Sequence, residues 1–352
     1  MTLTGKGLLL AASTRDDELT ALAGARAAHR LPVANLPLLF YGIAAMRKCG
    51  VEDVGVMVSP GTADDVQSLL AASTNGMRVG CLDAGEPRGL VQALRAATHF
   101  LDERPVMVHL GDALVAQPLP PLFDELERSG GDALFLVRNA AEFGTQAPAG
   151  DVRPLRLVEN KPVPPAEQAL AGVFVLGPAA IAAALELPDD AGVTEIVRAV
   201  GETGRLETRI VNGSWKYTGE VDGLLAANRM VLDAIEPDLG GCDLTQARIE
   251  GRVQIHPTAV IERSTIRGPA VIGPRAVLQD AFVGPYSAVG AEVRLEGAEL
   301  EHSIVLDHAV IRHIGHRLED SLVGSGATVT RDFAFPSGLR LRVGRRAEVL
   351  LA

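Results

Sequence analysis

The chain has 352 residues, enough for about two or three domains with a proper core. Its 33 Lys plus Arg against 44 Asp plus Glu leave a formal charge of −11, which excludes a generic nucleic-acid binder, because such affinity rests on cations set against phosphates. Three cysteines, Cys49, Cys81 and Cys242, are odd in number and far apart, so neither a disulfide framework nor a metal cluster is expected and a reducing cytoplasm fits. In chain order, LLLAA (8–12), VGVMVS (54–59), VMVHLGD (106–112) and DALFLVR (132–138) read as buried strands. Between them, 35–49, 62–72 and 89–102 carry helical spacing, the alternation of an α/β domain with a parallel sheet. Such a sheet binds ligands at the carboxyl ends of its strands, which directs attention to the loops after Ala11 and after Leu110. The apolar run GLLLAAS after Lys6 is shorter than a secretory core segment and no run approaches membrane length, so a soluble protein without a membrane partner is expected.

The helical run VDGLLAANRMVLDAI ends at EPDLGGCD, where Pro and a Gly pair place a boundary near 236–243 and divide the chain into domains 1–240 and 241–352. Past Cys242 helical spacing disappears. Val271, Val277, Val283, Val289 and Leu295 stand six apart, and Val260 and Ile266 keep the same step with a one-residue slip before Val271. A six-residue period marks a β-helix whose aliphatic residues stack inside from turn to turn. The small residues of IGPRA (272–276) and VGPYSA (283–288) suit its tight corners, and the flat coils of such a domain imply homo-oligomeric assembly.

Several short runs, in order, resemble the landmarks of sugar-1-phosphate nucleotidyltransferases. They are Leu31-Pro-Val-Ala-Asn35 with LPLLFYGI, GLVQAL (89–94), LGD (110–112), FG (143–144), RLVENKP (156–162), LAGVFVLGP (170–178) and WKYTGEVDGLLAANRMVLD (215–233). The long form of glucose-1-phosphate thymidylyltransferase is the nearest likeness, and it spans essentially the whole chain. The resemblance implies a Rossmann-like domain with a mostly parallel mixed sheet, followed by a left-handed β-helix. It also implies nucleotidyl transfer from a nucleoside triphosphate to a sugar 1-phosphate, with Mg²⁺ held by two aspartates. Phosphoryl chemistry of this kind is mostly positioning and charge neutralisation. Carried over residue by residue, the resemblance gives Arg15 to the phosphate loop, Asp112 to the metal and to catalysis, and Gly89 and Leu90 to the nucleotide. Gly144, Lys161, Gly172 and Glu195 fall to the sugar phosphate.

Four positions depart from that pattern. The run G-G-x-G-T-R-L-x-P-L-T is met only by Ala11-Ala12-Ser13-Thr14-Arg15-Asp16-Asp17-Glu18-Leu19-Thr20, without the paired glycines and about two residues short. Asp16, Asp17 and Glu18 either oppose a polyanion or line a helix start, where carboxylates favour the dipole. Ala28 stands where the family lysine would, with Arg26 and Arg30 as the nearby cations. Tyr217 replaces the second metal aspartate, and a neutral phenol is a poor ligand for hard Mg²⁺. Near GLVQAL, Leu82-Asp83 leads into AGEPRG without the amide that reads thymine, which weakens the inference of a thymidine nucleotide.

Five histidines, His256, His302, His308, His313 and His316, lie in or near the repeats. They read as surface or coil-corner residues in preference to an acyl-transfer base, since no basic site for a coenzyme A phosphate accompanies them. Two functions therefore compete. One is an enzyme that makes a nucleotide sugar with standard catalysis impaired or lost. The other is a non-catalytic homologue that binds a sugar phosphate or nucleotide sugar and regulates or assembles with an active paralogue.

Overall fold

The structure, a computed structural model, describes residues 5–12, 17–23, Ala25, 27–72, 76–86, 88–116, 118–119, 121–139, 168–216, 219–244, 246–331 and Phe333. Contacts divide the chain into two compact units, one of Met1–Thr14, Ala27–Arg30 and Pro37–Thr218, the other of Arg15–Arg26, Leu31–Leu36 and Gly219–Ala352. The described strands up to residue 218 are β1 (Lys6–Leu10), β2 (Pro32–Val33), β3 (Leu36–Pro37), β4 (Asp53–Val58), β5 (Arg78–Asp83), β6 (Val106–Leu110), β7 (Ala113–Val115), β8 (Ala133–Asn139), β9 (Gln168–Leu176), β10 (Leu206–Ile210) and β11 (Ser214–Lys216). Helices are α1 (Glu18–Leu22), α2 (Leu38–Lys48), α3 (Ala63–Ala72), α4 (Leu90–Ala96), α5 (Leu122–Ser129), α6 (Pro178–Leu185), α7 (Val193–Thr203) and α8 (Val221–Leu232).

In the first unit a seven-stranded sheet runs β10-β8-β9-β6-β1-β4-β5. β1 pairs in parallel with both β4 and β6, β5 continues in parallel from β4, and β9 alone runs antiparallel to its neighbours β6 and β8. Parallel strands are covered on both faces, so their sequences are continuously apolar, and successive residues feed opposite layers. Leu8 belongs to a core with Leu94, Phe135, Phe174 and Ile196, whereas Leu9 belongs to one with Leu39, Met46, Val56 and Val173. The Phe135 and Phe174 rings stack with centroids 5.0 Å apart. The first strand starts two residues earlier than the apolar run suggests: Lys6 hides its beginning, yet pairs with Val106 and sends its ammonium to Asp102 at 3.0 Å. Ala11 and Ala12 thereby fall past the end of the ladder.

In the second unit, fifteen short strands between Arg248 and Thr330 form three five-stranded parallel sheets, the three faces of a left-handed β-helix. The pairing corrects the expected register. Val253 pairs with Ala270 and Val260 with Val277, seventeen residues on in each case. A coil of that length has one five-residue step among its sixes. The interior line therefore runs Ile261, Ile266, Ile272, Leu278, Val283, Val289, Leu295 and Leu300. Of the expected stack, Val283, Val289 and Leu295 lie inside, but Val271 and Val277 lie one residue off the line and Val260 is exposed. The expected one-residue slip lies between Ile266 and Val271, but the five-residue steps fall at 261–266, 278–283 and 295–300, and Val271 and Val277 mislead because they are aliphatic neighbours of the true core residues.

The corners are also built differently from the expectation. Their left-handed positions are held by long polar residues, among them Arg263, Arg275, Asp280, Tyr286, Glu292, His302, His308 and His313. The glycine of IGPRA answers a packing need: a Cβ on Gly273 would meet the Gly290 backbone at 2.7 Å. Corner residues one coil apart then meet side by side. Arg263 is bidentate on Asp280 at 2.7 and 2.8 Å, Arg275 Nε reaches Glu292 at 2.9 Å, and His308 Nδ1 lies 3.2 Å from the same carboxylate. Exposed pairs of this sort add at most about 1 kcal/mol each, so the aliphatic stack carries the stability.

Leu278→Ala is expected to lower unfolding stability by about 2–5 kcal/mol, as removal of a buried leucine does, while Val277→Ala one residue away costs less than about 1.5 kcal/mol. Urea denaturation of the two variants checks the seventeen-residue register. Equal losses would contradict it.

Candidate functional site

The strand order of the first unit reverses at β1, with β4, the next strand of this sheet in sequence, on one side and the later β6 on the other. In an open α/β sheet such a switch point opens a crevice beyond the carboxyl ends of the two strands. Here those ends are Leu10-Ala11-Ala12 and Leu110-Gly111-Asp112. Gly111 N–H donates to the Leu10 carbonyl at 2.9 Å, which closes the two ends against each other, and Ala11 N–H donates to the Met57 carbonyl of β4 at 2.9 Å. A Cβ on Gly111 would collide with the Leu10 carbonyl oxygen. Ala11 and Ala12 are buried, and Ala12 joins the core with Leu8 and Leu94.

Asp112 follows at once, half-buried, on the turn between β6 and β7. β7 pairs antiparallel with β11, Ala113 against Lys216, Leu114 against Trp215 and Val115 against Ser214. The Ala113–Lys216 pair joins the sequence neighbours of Asp112 and Tyr217, the two positions at which the resemblance asks for metal carboxylates. Tyr217 itself lies outside the described residues, as do Arg15, Arg26, Gly144 and Lys161. Gly172 on β9 belongs to the Asp112 neighbourhood. Its φ of +81° is left-handed, and a Cβ there would sit 2.5 Å from the Ala113 Cβ.

Gly89, Leu90 and Glu195 gather in a second place. Gly89 precedes α4 and packs on the chain at 189–191, where a Cβ would lie 2.6 Å from the Asp189 carbonyl oxygen. Val91 and Gln92 N–H groups donate to Ala191 and Asp189 carbonyls at 3.3 Å. The Leu90 side chain is buried in the core. Glu195 stands in the first turn of α7 and accepts the Gly192 N–H at 3.0 Å, which occupies one oxygen of its carboxylate in a helix cap. Gln92 was passed over in the sequence. Its amide donates to the Ala84 carbonyl at 2.7 Å and accepts from Arg88 N–H at 2.8 Å, and so shapes the 84–88 link.

The charges near these sites have specific partners. Asp17 caps α1 by accepting the Thr20 N–H at 2.9 Å, so this carboxylate serves a helix start. Ala28 is buried in a 3₁₀ turn, Ala28–Arg30, and the Arg30 guanidinium lies 2.7 Å from Asp65. Among the described residues no three of His, Cys, Asp and Glu gather to hold a cation. One aspartate with tyrosine at 217 does not meet the two-carboxylate hold that Mg²⁺ has by resemblance.

Three further buried polar side chains, Arg138, His109 and His29, carry no spacing in the sequence that marks them. Arg138 on β8 donates to the Ser214 carbonyl at 3.0 Å and ties β8 to β11. His109, three residues before Asp112, donates from Nδ1 to the Leu110 carbonyl at 2.7 Å. This bond sets the tautomer and leaves Nε2 without a hydrogen and, among the described residues, without a hydrogen-bond partner. Burial pushes its pKa down to about 4. His29 is likewise held down to about 4, by burial first and then by the neighbouring Arg30, with Asp65 opposing. Both rings are therefore neutral at pH 7.

Residues 11–234 match the Nucleotidyl transferase family. Among curated proteins, a glucose-1-phosphate thymidylyltransferase of Streptomyces griseus is 32% identical over 96% of this chain and 97% of its own. A low-salt glycan biosynthesis nucleotidyltransferase of Haloferax volcanii is 31% identical over 98% and 100%. A solved structure from Bacillus anthracis, assigned as a glucose-1-phosphate thymidylyltransferase, shares the fold with a TM-score of 0.53 at 20% identity and covers 66% of this chain and 97% of that one.

The two histidines predict a pH dependence. Their folded pKa of about 4 lies below the ordinary 6.5, so between those values the unfolded chain binds protons that the folded chain refuses. Stability is complete above about pH 7 and falls as the pH drops through that window. Urea titrations at pH 7 and pH 5 are expected to show the fall, and it should shrink in the His29→Gln and His109→Gln variants. An unchanged fall in both would remove the histidines as its cause.

Proposed function

The chain belongs to the sugar-1-phosphate nucleotidyltransferase family, and from that premise we propose that it joins a sugar 1-phosphate to a nucleoside triphosphate with the standard metal-assisted route impaired. In the family reaction a phosphate oxygen of the sugar phosphate bonds to the α-phosphorus. The bond from that phosphorus to the β-phosphate oxygen breaks, and pyrophosphate leaves. The observation that carries the reading is Asp112 beside the β1–β6 switch point, with tyrosine at 217 where the second carboxylate belongs. The sugar side supports retained binding: Gly172 keeps its left-handed backbone and its close approach to Ala113, and Lys161 is present in the sequence. The triphosphate side supports impairment, since Ala28 is buried, Arg30 is paired with Asp65 and the paired glycines are absent. A family member with a weakened triphosphate site still has use as a sugar-phosphate or nucleotide-sugar binder that regulates an active paralogue, which is the second reading. We place the protein in the cytoplasm and the β-helix in a homo-oligomeric contact. Light scattering at micromolar concentration is expected to show more than a monomer.

A pyrophosphate-release assay across nucleoside triphosphates with glucose 1-phosphate and Mg²⁺, run beside calorimetry of the same ligands, tests the proposal. Turnover is expected below about 1 per second, the low end of ordinary enzymes, with sugar-phosphate binding preserved. Tyr217→Asp alone should stay as slow as wild type, because residues that act as a unit do not restore activity in proportion. A family-type glycine loop with its lysine in place of residues 11–28, combined with Tyr217→Asp, should raise pyrophosphate release. Wild-type turnover of about 1 to 1,000 per second would overturn the impairment.

A further inference from the structure

Two short amino-terminal segments belong to the second unit, although the chain on either side of them belongs to the first: 15–26 and 31–36. The first contains α1. A five-residue helix is marginal alone, since nucleation outweighs so few backbone bonds. Its last carbonyl, on Leu22, accepts the Ser325 N–H at 3.0 Å, and Gly324 packs on the same oxygen. Gly324 and Ser325 follow Leu322–Val323 on the final coil of the β-helix.

The second segment is the β2–β3 turn, in which Ala34 (φ +44°) and Asn35 (φ +63°) are both left-handed. That conformation is costly for alanine, so something outside the turn must hold it. Asn228 of α8, fully buried, accepts the Ala34 N–H at 2.9 Å and donates to the Tyr286 carbonyl at 3.1 Å. Asn35 donates from Nδ2 to the Val289 carbonyl at 2.7 Å. Tyr286 is itself fixed: its hydroxyl donates to Asp233 at 3.0 Å, its ring stacks on His302 at 5.2 Å and the Arg229 guanidinium lies 4.8 Å from its centroid. The landmark Pro32-Val33-Ala34-Asn35 is thus bonded to one middle coil, and α1 to the last.

We propose that the β-helix is a positioning element for the amino-terminal segment that carries α1 and the β2–β3 turn, with Asn35 and Asn228 as positioning residues and the final coil as the anchor of α1. The part played by that segment in nucleotide binding rests on the function proposed above. The anchoring does not, and it has its own measurement.

Hydrogen–deuterium exchange of the full-length protein reads the anchoring without any turnover. Ser325→Pro deletes the donor to Leu22. Exchange at residues 18–23 is expected to quicken about tenfold, the loss of one hydrogen bond of about 1.4 kcal/mol, while β1, β4 and β6 stay protected. Asn35→Gly keeps a residue at ease at positive φ and deletes the amide; Asn35→Asp keeps the shape and the left-handed preference but turns an acceptor toward the Val289 carbonyl. Both should quicken residues 33–37 about tenfold, and agreement between them separates lost donation from added glycine flexibility. If turnover is measurable, the same variants should raise KM for the triphosphate more than they lower kcat. Should Ser325→Pro loosen the final coil itself, exchange at 18–23 must rise with it. Exchange at 18–23 and at 33–37 within about twofold of wild type would overturn the proposal.

Discussion

Parallel pairing of β1 with β4 on one edge and β6 on the other is the constraint from which the first unit follows. It buries β1 on both edges and both faces, so Leu8 and Leu9 seed opposite core layers. It also forces the strand order to reverse at β1, and the two carboxyl ends to meet, with Gly111 bonded to Leu10. Asp112 stands where it does because β6 stops there and turns into β7. The candidate site is thus a by-product of how the sheet is wound, and its chemistry depends on which residues happen to occupy those ends.

Those residues divide by what they are bonded to. Gly172 answers a steric demand that only glycine meets without strain, and Arg138 and His109 spend their donors on the carbonyls of Ser214 and Leu110, which hold the β7–β11 pair and the turn to Asp112 in place. Charges that the resemblance places near the substrate phosphates, for or against them, are engaged in structure among the described residues: Arg30 with Asp65, Asp17 at a helix cap, Glu195 at another. A carboxylate that caps a helix favours the amide dipoles at its own end, which is a reason for acidic residues to follow Ala12 unrelated to ligand.

The second unit obeys a different economy of contacts. Each coil repeats at about seventeen residues, so a left-handed corner recurs above its predecessor and projects its side chain beside it. The corner histidines, His302, His308 and His313, fall in these columns, one stacked on Tyr286 and one beside Glu292. The interior is filled by aliphatic side chains stacked from coil to coil, with α8 packed outside on the strand Ser287–Val289. Through Asn228 the same face reaches back to the β2–β3 turn, some 190 residues earlier in the chain.

Runs of apolar residues with two clear periods were enough, in the sequence alone, to separate an α/β sheet from a β-helix, because burial on both faces and stacking from coil to coil each demand a repeat that solvent-facing residues cannot imitate. The strands at 54–58, 106–110 and 133–138 were legible for that reason, and so were the loops that close the sheet's switch point. Tertiary structure alone decided the rest. Lys6 lies inside a strand because its ladder with Val106 and its reach to Asp102 outweigh its polarity. Ile272 and Leu278, not Val271 and Val277, face inward because a seventeen-residue coil needs a five-residue step, which no count by six reveals. The partners of Arg30 and Asn35 lie 35 and 254 residues away. Hydrogen bonds over such spans depend on where the chain returns in space, and residue types by themselves carry no record of that return.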